Sequence, residues 1–232
     1  MKKLICMILI SALILSLAAC GAPAVSNNDN SSAEPSPAPV SNNTAPANDA
    51  PADDKIGSKA LIVYFSRTGE QYTVGVIDKG NTAIVAEMIA EKTGADLFEI
   101  LPKEDHYPMT YKELTDVAKK EQNEKARPAY AKAVPDLSGY DTIFIGAPVW
   151  WGDWPMIMYT FFEQNTKALE GKKLVPFSTH EGSGLSGFDK KLASSCPGST
   201  VLKGQAIRGN DCQNRQDSVR KTVNDWLEGL GY

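Results

Sequence analysis

Three short segments of this 232-residue chain carry residue types that bind anions or aromatic rings. The first segment comes in two parts, which are Ser66, Arg67, Thr68 and Gly69, and then Gly80, Asn81 and Thr82. Hydroxyl groups, a guanidinium and backbone N–H groups can together surround an anion. A helix that begins near Asn81 would add the unpaired N–H groups of its first turn. If residues 70–79 form an insertion that loops out, the two parts make one anion site.

The composition of this first segment indicates which anion it would take. It lacks the lysine of the G-x-x-x-x-G-K-[ST] phosphate loop, and it does not match G-x-G-x-x-G. The phosphate of a mononucleotide is therefore favoured over ATP or a dinucleotide. The alternative is that residues 66–69 form an ordinary turn that is followed by an unrelated helix.

The second segment, GAPVWWGDWP at 146–155, places three tryptophans within five residues. Such a cluster is costly to leave in water, and Trp faces stack well on flat rings. We therefore expect Trp150 and Trp151 to lie beside a planar aromatic ligand. Gly152 leaves the backbone free to approach that ligand. The alternative is that the tryptophans cap the core or form an interface.

The third segment, STHEGSGLSG at 178–187, can present successive N–H groups to the polar edge of a ring. A serine hydrolase built on Ser183 and His180 is the competing hypothesis. The segment does not match G-x-S-x-G, and His106 is the only other histidine. No metal site is predicted, because the histidines and cysteines lack metal-ligand spacing.

Alternating strands and helices must position these three segments. The predicted strands are 59–65, 95–101, 141–146, 173–179 and 200–207, and the predicted helices are 81–94, 155–164, 185–194 and 211–230, with a polar segment at 105–128 that leads into a further surface helix. The alternation and the apolar strand cores predict an α/β fold with a parallel sheet between helices. Ligands of such sheets bind at the carboxyl ends of the strands, where all three segments begin.

The order of the elements and the three segments resemble flavodoxin-like domains that bind FMN. The resemblance covers about residues 59–232 and implies a three-layer sandwich whose five-stranded parallel sheet has the order 2-1-3-4-5. It implies that the FMN phosphate is held by residues of the first segment, which are Ser66, Arg67, Thr68, Asn81 and Thr82. It places the flavin ring among Pro148, Val149, Trp150, Trp151 and Gly152. The polar edge of the ring would face Thr179, His180, Gly182 and Gly184.

The N-terminal part of the chain predicts secretion and lipidation. Two lysines precede a short apolar run, and Leu17-Ala18-Ala19-Cys20 resembles a lipobox. We therefore expect a signal peptide at 1–19, lipid on Cys20, a polar Ser-, Asn- and Pro-rich tether at 20–57, and a folded domain at 58–232. The protein would then be anchored outside the cytoplasm of a bacterium. The formal net charge of −4 and the lack of a basic run argue against nucleic-acid binding.

The predicted function is electron transfer between FMN and a redox partner protein or a membrane quinone. No catalytic residue is assigned, because the redox chemistry belongs to the flavin. Two alternatives stay open, an NAD(P)H-dependent quinone or FMN reductase and a lipoprotein that binds a ligand without redox chemistry. Cys196 and Cys212 precede and follow the last strand, so they should lie too far apart for a disulfide and remain free thiols.

Overall fold

The computed structural model describes residues 59–232. The strands are β1 Ala60–Tyr64, β2 Gly69–Gln71, β3 Gly75–Ile77, β4 Asp96–Glu99, β5 Thr142–Pro148, β6 Lys173–His180, β7 Thr200–Val201 and β8 Gln205–Arg208. The helices are α1 Asn81–Thr93, α2 Tyr111–Glu124, α3 Met156–Leu169, α4 Phe188–Ser195, α5 Gly209–Asn214 and α6 Gln216–Glu228. None of the helices in this part of the chain is long and apolar enough to cross a membrane. The predicted signal peptide, Cys20 and the tether lie outside the described residues.

Six strands form one parallel sheet in the spatial order β4-β1-β5-β6-β7, and β8 also pairs with β6. In the numbering of the predicted strands this order is 2-1-3-4-5. The structure therefore confirms the predicted α/β fold and its strand order. It corrects the strand count from five to six, because the last predicted strand is divided into β7 and β8.

The division of the last strand follows from its partner. Leu174 of β6 pairs with Val201, and Phe177 pairs with Gln205, so two residues of β6 face three residues between β7 and β8. Pro176 lies in this stretch of β6 and has no N–H group to donate. The extra residue forms a bulge that carries the chain past the proline and restores the pairing.

The two faces of the sheet carry separate apolar cores. Along β5, Ile143 packs into the core that contains α3 and α4, while Phe144 packs into the core that contains α1 and α6. Successive side chains of a strand point to opposite faces. The central strands are therefore buried on both sides, as their near-continuous apolar sequences predict.

The long predicted helix at 211–230 is two helices in the structure. The break lies at Arg215, whose φ of −143° is not helical, and α6 begins at Gln216. In α6 the apolar residues Val219, Val223 and Leu227 recur at helical spacing and are buried against the sheet. The amphipathic pattern therefore predicted α6, while the short helix α5 was merged with it.

Residues 70–79 form a docked hairpin rather than an open loop. In this hairpin, β2 and β3 pair antiparallel. The Glu70 N–H group donates to the Met109 carbonyl at 2.8 Å, and the Glu70 carboxylate accepts from the Tyr111 N–H group at 2.8 Å. The hairpin is therefore fastened to the first residues of α2, at the edge of the site described below.

Both cysteines of the described domain are free and buried. Cys196 packs in the core that contains α3 and α4, while Cys212 packs in the core on the opposite face of the sheet. The prediction of free thiols is therefore confirmed, since the sheet lies between the two sulfur atoms.

Candidate functional site

One cleft opens at the carboxyl ends of β1, β5 and β6, where the three segments meet. Ser66 and Trp150 line it from the loops that follow β1 and β5, and His180 lines it from the last position of β6. The beginning of α1 lies beside them. The hairpin and α2 form the remaining wall. The cleft has a volume of about 300 Å³, at the lower end of the roughly 300–1,000 Å³ usual for small-molecule sites.

The two parts of the first segment meet at one end of the cleft. The Ala83 N–H group, in the first turn of α1, donates to Ser66 Oγ at 3.1 Å. A Cβ atom added to Gly80 would lie 2.1 Å from Ser66 Oγ and 2.7 Å from the Arg67 carbonyl oxygen, so only glycine fits there. The first N–H groups of α1 have no intrahelical partners and carry the positive end of the helix dipole. This end of the cleft can therefore hold an anion.

Two side-chain contacts fix the beginning of α1 against the neighbouring elements. The hydroxyl oxygens of Thr82 and Thr179 are 2.7 Å apart, and both residues are buried. The Gln213 amide of α5 donates to Asn81 Oδ1 at 2.7 Å. The end of β6 and the first turn of α1 are thus held together where the anion would bind.

Arg67 carries a donor that has no partner among residues 59–232. Its Nη1 atom pairs with Asp105 at 2.8 Å, and its Nη2 atom donates to the Tyr107 carbonyl at 2.8 Å. The side chain is only 9% exposed. Arg67 Nε is buried without a hydrogen-bond partner in the described residues. Arg67 also lines the cleft, and a buried donor without a partner is an exception that calls for an explanation.

Trp150 forms another part of the cleft wall and packs on Tyr107, the ring on which the Arg67 guanidinium also lies. Its indole packs edge-on against Phe65 and Tyr107, with ring centroids 5.3 and 5.2 Å away. Trp150 and Asp153 exchange two backbone hydrogen bonds of 2.9 Å, so Trp151 and Gly152 form the tip of a tight turn. The aromatic contacts hold the Trp150 ring in place as part of the cleft wall.

Trp151 is attached to α2. Its Nε1 atom donates to the Thr115 carbonyl at 2.9 Å, and Lys119 Nζ lies 5.0 Å from its ring centroid. Trp151 has a φ of +50°, which is strained for a bulky side chain. These contacts, together with the Gln122 amide that donates to the Trp151 carbonyl, offset the strain and connect the turn to α2.

The third tryptophan of the segment has a structural role. Trp154 is completely buried and stacks on Phe188 of α4, with ring centroids 3.6 Å apart. It does not line the cleft. The alternative considered from the sequence, that the tryptophans cap the core, therefore applies to this residue.

Lys191 of α4 joins the second and third segments. Its Nζ atom donates to the Gly152 carbonyl at 2.6 Å and to the Ser186 carbonyl at 3.1 Å, and it pairs with the Asp153 carboxylate at 3.1 Å. Asp153 Oδ1 also accepts from the Tyr159 hydroxyl at 2.9 Å. One ammonium group therefore holds the loops that follow β5 and β6 in a fixed relation.

In the third segment, His180 and Glu181 occupy defined positions. The Gly182 N–H group donates to His180 Nδ1 at 2.9 Å, which leaves Nε2 as the protonated nitrogen of the neutral ring. Burial lowers the pKa of His180. His180 thus remains uncharged at neutral pH and can donate from Nε2.

The neighbouring Glu181 accepts from the Asn210 N–H group at 2.6 Å and from Arg208 Nε at 3.1 Å.

The cleft brings together most residues that the sequence singled out. Those that line it are Ser66, Arg67, Asn81, Thr82, Pro148, Val149, Trp150, Trp151, Gly152, Thr179 and His180. Thr68, Gly182 and Gly184 are not among its lining residues, and Thr68 is exposed. The Gly184 carbonyl accepts from Ser178 Oγ at 3.0 Å, so it fixes the shape of the third loop.

Several lining residues were not identified from the sequence. They are Gln71, Tyr72, Tyr111, Leu114, Thr115, Ala118 and Gly209, whereas Glu181 and Ser183 belong to the third segment, in which Ser183 was considered only as the nucleophile of a hydrolase. Tyr111, Leu114 and Ala118 recur at helical spacing in a helix that is mostly polar, so an amphipathic pattern was available there. The contribution of the hairpin had no comparable local signal.

Comparison with known proteins gives a consistent result. The flavodoxin family matches residues 59–229. A Bacteroides eggerthii protein assigned as a flavoprotein is 30% identical over 75% of this chain and 99% of its own, with a TM-score of 0.59. A similarly assigned Bacteroides uniformis protein is 29% identical over 74% and 99%, with a TM-score of 0.57. A flavoprotein from Lactobacillus acidophilus in complex with FMN is 26% identical over 69% and 99%, with a TM-score of 0.51. No curated protein matches significantly.

Proposed function

Because this chain belongs to the flavodoxin family, we propose that it binds FMN and transfers electrons at the outer face of a bacterial membrane. The observation that carries the proposal is the arrangement of a single cleft. An anion site at the beginning of α1 and an aromatic wall at Trp150 face the same space. Such a space suits a molecule that has a phosphate at one end and a flat ring at the other.

The anion end of the cleft fits the FMN phosphate. The bare Cα of Gly80 leaves the backbone close to Ser66 and Arg67, where a Cβ atom would clash. Arg67 Nε is a buried donor without a partner in the described residues. Ser66, Asn81, Thr82 and Arg67 would hold the phosphate through hydroxyl, amide and guanidinium groups.

The part of the cleft beside Trp150 fits the flavin ring. Trp150 and Val149 would line one side of it, while Thr179 and the Nε2–H group of His180 would face its polar atoms. Bound FMN supplies one- and two-electron transfer, and the protein sets its environment. The fixed Trp150 ring excludes water from that environment, and the Lys191 contacts keep the surrounding loops from rearranging.

We further propose that lipid on Cys20 holds the domain at the membrane and that residues 20–57 act as its tether. A signal-like start followed by a lipobox supports this location. A tether of this composition would allow the domain to meet a redox partner protein or a membrane quinone. Replacing Cys20 by serine should release the protein from the membrane fraction. Retention of the C20S variant in membranes would contradict the lipid anchor.

FMN binding is tested by mixing the purified full chain with FMN, desalting it and recording its visible absorbance. We expect the flavin bands to stay with the protein. Riboflavin, which lacks the phosphate, should bind at least about 100-fold more weakly, since two or more charge-assisted hydrogen bonds are lost. A colourless protein after desalting would overturn the proposal. Rapid bleaching of the bound flavin by NADPH would favour an NADPH-dependent reductase over an electron carrier.

A further inference from the structure

The cleft extends beyond the residues that would hold FMN. Its additional wall is built by the hairpin and α2, through Gln71, Tyr72, Tyr111, Leu114, Thr115 and Ala118. None of these side chains carries a charge at neutral pH. The charged lining residues, Arg67 and Glu181, lie instead in the loop after β1 and in the loop after β6. The two parts of the cleft therefore differ in the chemistry that they offer to a ligand.

A pair of tyrosines dominates the uncharged wall. Tyr72, which directly follows β2, stacks on Tyr111 at the start of α2, with ring centroids 5.4 Å apart and an interplanar angle of 29°. Tyr72 is 55% exposed and Tyr111 is 36% exposed, although both line the cleft. The hydrogen bonds of Glu70 to Met109 and Tyr111 hold the two rings in register. Two exposed aromatic rings in a fixed position form a surface for stacking.

The floor of this part of the cleft is apolar. Leu114 and Ala118 lie on one face of α2 and are buried. An uncharged ring placed over them would lose little hydration free energy, whereas a charged group would lose much more. The uncharged side chains of the hairpin and the apolar face of α2 therefore both favour an uncharged ligand.

Exposed apolar side chains also concentrate around this wall. Of the seven large hydrophobic side chains exposed in residues 59–232, five belong to the hairpin, to residues 109–111 at and just before the start of α2, or to the Trp150–Asp153 turn. They are Tyr72, Val76, Met109, Tyr111 and Trp151. Apolar groups that cluster in this way mark a binding site more often than scattered ones do. Because Tyr72 and Tyr111 line a cavity rather than a flat face, a small molecule fits them better than a protein surface does.

We propose that this wall, formed by Tyr72, Tyr111, Leu114 and Ala118, binds an uncharged planar substrate of the quinone class. The inference rests on the proposed function, because such a substrate would lie next to the part of the cleft assigned to FMN. The tyrosine pair contacts the ring of the substrate, and the buried face of α2 contacts its apolar substituents. The loops that follow β1 and β6 remain available to the phosphate and to the polar edge of the cofactor.

The test uses the full chain loaded with FMN and duroquinone as the probe. All ring positions of this quinone are methylated, so it cannot add covalently to thiols or lysines. Its dissociation constant is measured by calorimetry with the wild type, the Tyr72→Ala/Tyr111→Ala variant and the Tyr72→Phe/Tyr111→Phe variant. Val76→Ala is the control, because Val76 is 79% exposed on the same hairpin but does not line the cleft. FMN affinity and thermal unfolding are measured for every variant.

We expect the double alanine variant to bind duroquinone at least about tenfold more weakly, since two aromatic contacts are lost. The double phenylalanine variant and Val76→Ala should stay within about twofold of the wild type, because both keep the rings. FMN affinity and the unfolding temperature should change little in all variants. Both tyrosines are exposed, so their truncation leaves the core intact.

Three results would overturn the inference without contradicting the proposed function. The wild type could fail to bind duroquinone, the double alanine variant could bind it as well as the wild type does, or FMN affinity could fall together with duroquinone affinity. The last result would assign the tyrosine pair to the cofactor. Failure of the wild type to retain FMN would instead contradict the proposed function. The two failures are therefore distinguishable in one set of measurements.

Discussion

The hydroxyl oxygens of Thr82 and Thr179 lie 2.7 Å apart in the interior, and they join the first turn of α1 to the end of β6. Thr82 belongs to the first segment and is assigned to the FMN phosphate, whereas Thr179 belongs to the third segment and is assigned to the polar edge of the flavin ring. Their contact shows that the residues assigned to the phosphate and to the polar edge of the ring meet at one buried point. A change at this point should affect both stability and cofactor binding.

Replacing either threonine by valine should destabilise the domain by about 1–3 kcal/mol, because the hydroxyl that remains is buried without its partner. The double variant should lose less unfolding free energy than the two single variants lose in sum, because two apolar groups of the same shape then face each other. Urea unfolding of the cofactor-free wild type, both single variants and the double variant measures this coupling. Strictly additive losses would show that the two hydroxyl groups do not depend on each other.

Gly80→Ala should weaken FMN binding at least about tenfold. The new Cβ atom would meet the Arg67 carbonyl at 2.7 Å as well as Ser66 Oγ, and backbone cannot move aside as cheaply as a flexible side chain. Gly139→Ala is the matched control, since a Cβ atom there meets nothing within 4 Å. Flavin fluorescence titration gives both affinities. Equal FMN affinity in G80A and the wild type would exclude a phosphate beside Gly80.

The central strands were predictable because their burial on both faces requires a continuous run of apolar residues in the local sequence. Ile143, Phe144 and Ile145 can all be apolar only if both faces of the sheet are covered, so the pattern predicts a parallel sheet between helices. The position of the cleft followed from the same topology. The division of the last strand was missed because it depends on Pro176 in a neighbouring strand.

The hairpin wall and the separate positions of the three tryptophans were not predictable in the same way. The docking of β2 depends on the contact between Glu70 and Tyr111, which are far apart in the sequence. Trp151 adopts a left-handed backbone conformation that its residue type disfavours, and only its contacts with α2 offset that strain. Local patterns carry no information about such contacts.

Lys191→Met should lower the unfolding free energy by about 1–2 kcal/mol, since the Gly152 and Ser186 carbonyls and the Asp153 carboxylate lose a half-buried charged partner. FMN binding should weaken about three- to tenfold, because the loops on two sides of the cleft become mobile. Lys190→Met is the control, since that side chain is exposed. If K191M and K190M behave alike in urea unfolding and FMN titration, the contacts of Lys191 do not hold the loops.

Neither Cys196 nor Cys212 should react with iodoacetamide at pH 8 while the domain is folded. Burial raises the pKa of each thiol to about 12, so the reactive thiolate is scarce. Both should be alkylated completely after unfolding in urea without a reductant. Peptide mass spectrometry of native and unfolded samples follows each cysteine separately. A cysteine that is labelled only after reduction would reveal a disulfide.

The two histidines should titrate on opposite sides of their ordinary pKa of about 6.5. Burial lowers the pKa of His180. Burial also acts to lower the pKa of His106, but the hydrogen bond and charge of Glu121 prevail and raise it. Proton NMR resolves the two imidazole signals across pH 4–9. Glu121→Gln should lower the pKa of His106 and leave that of His180 unchanged.

Because of these two pKa shifts, the free energy of unfolding should pass through a maximum as the pH changes. The His180 contribution should be lost on the acidic side of that maximum and the His106 contribution on the basic side. The raised pKa of His106 means that its contribution is complete below about pH 6.5 and is lost as the pH rises through the folded-state value. The lowered pKa of His180 means that its contribution is complete above about pH 6.5 and is lost as the pH falls through the folded-state value. Urea unfolding at a series of pH values should therefore show a flatter acidic side for His180→Asn and a flatter basic side for His106→Asn. If both variants flatten the same side, at least one of these pKa directions is wrong.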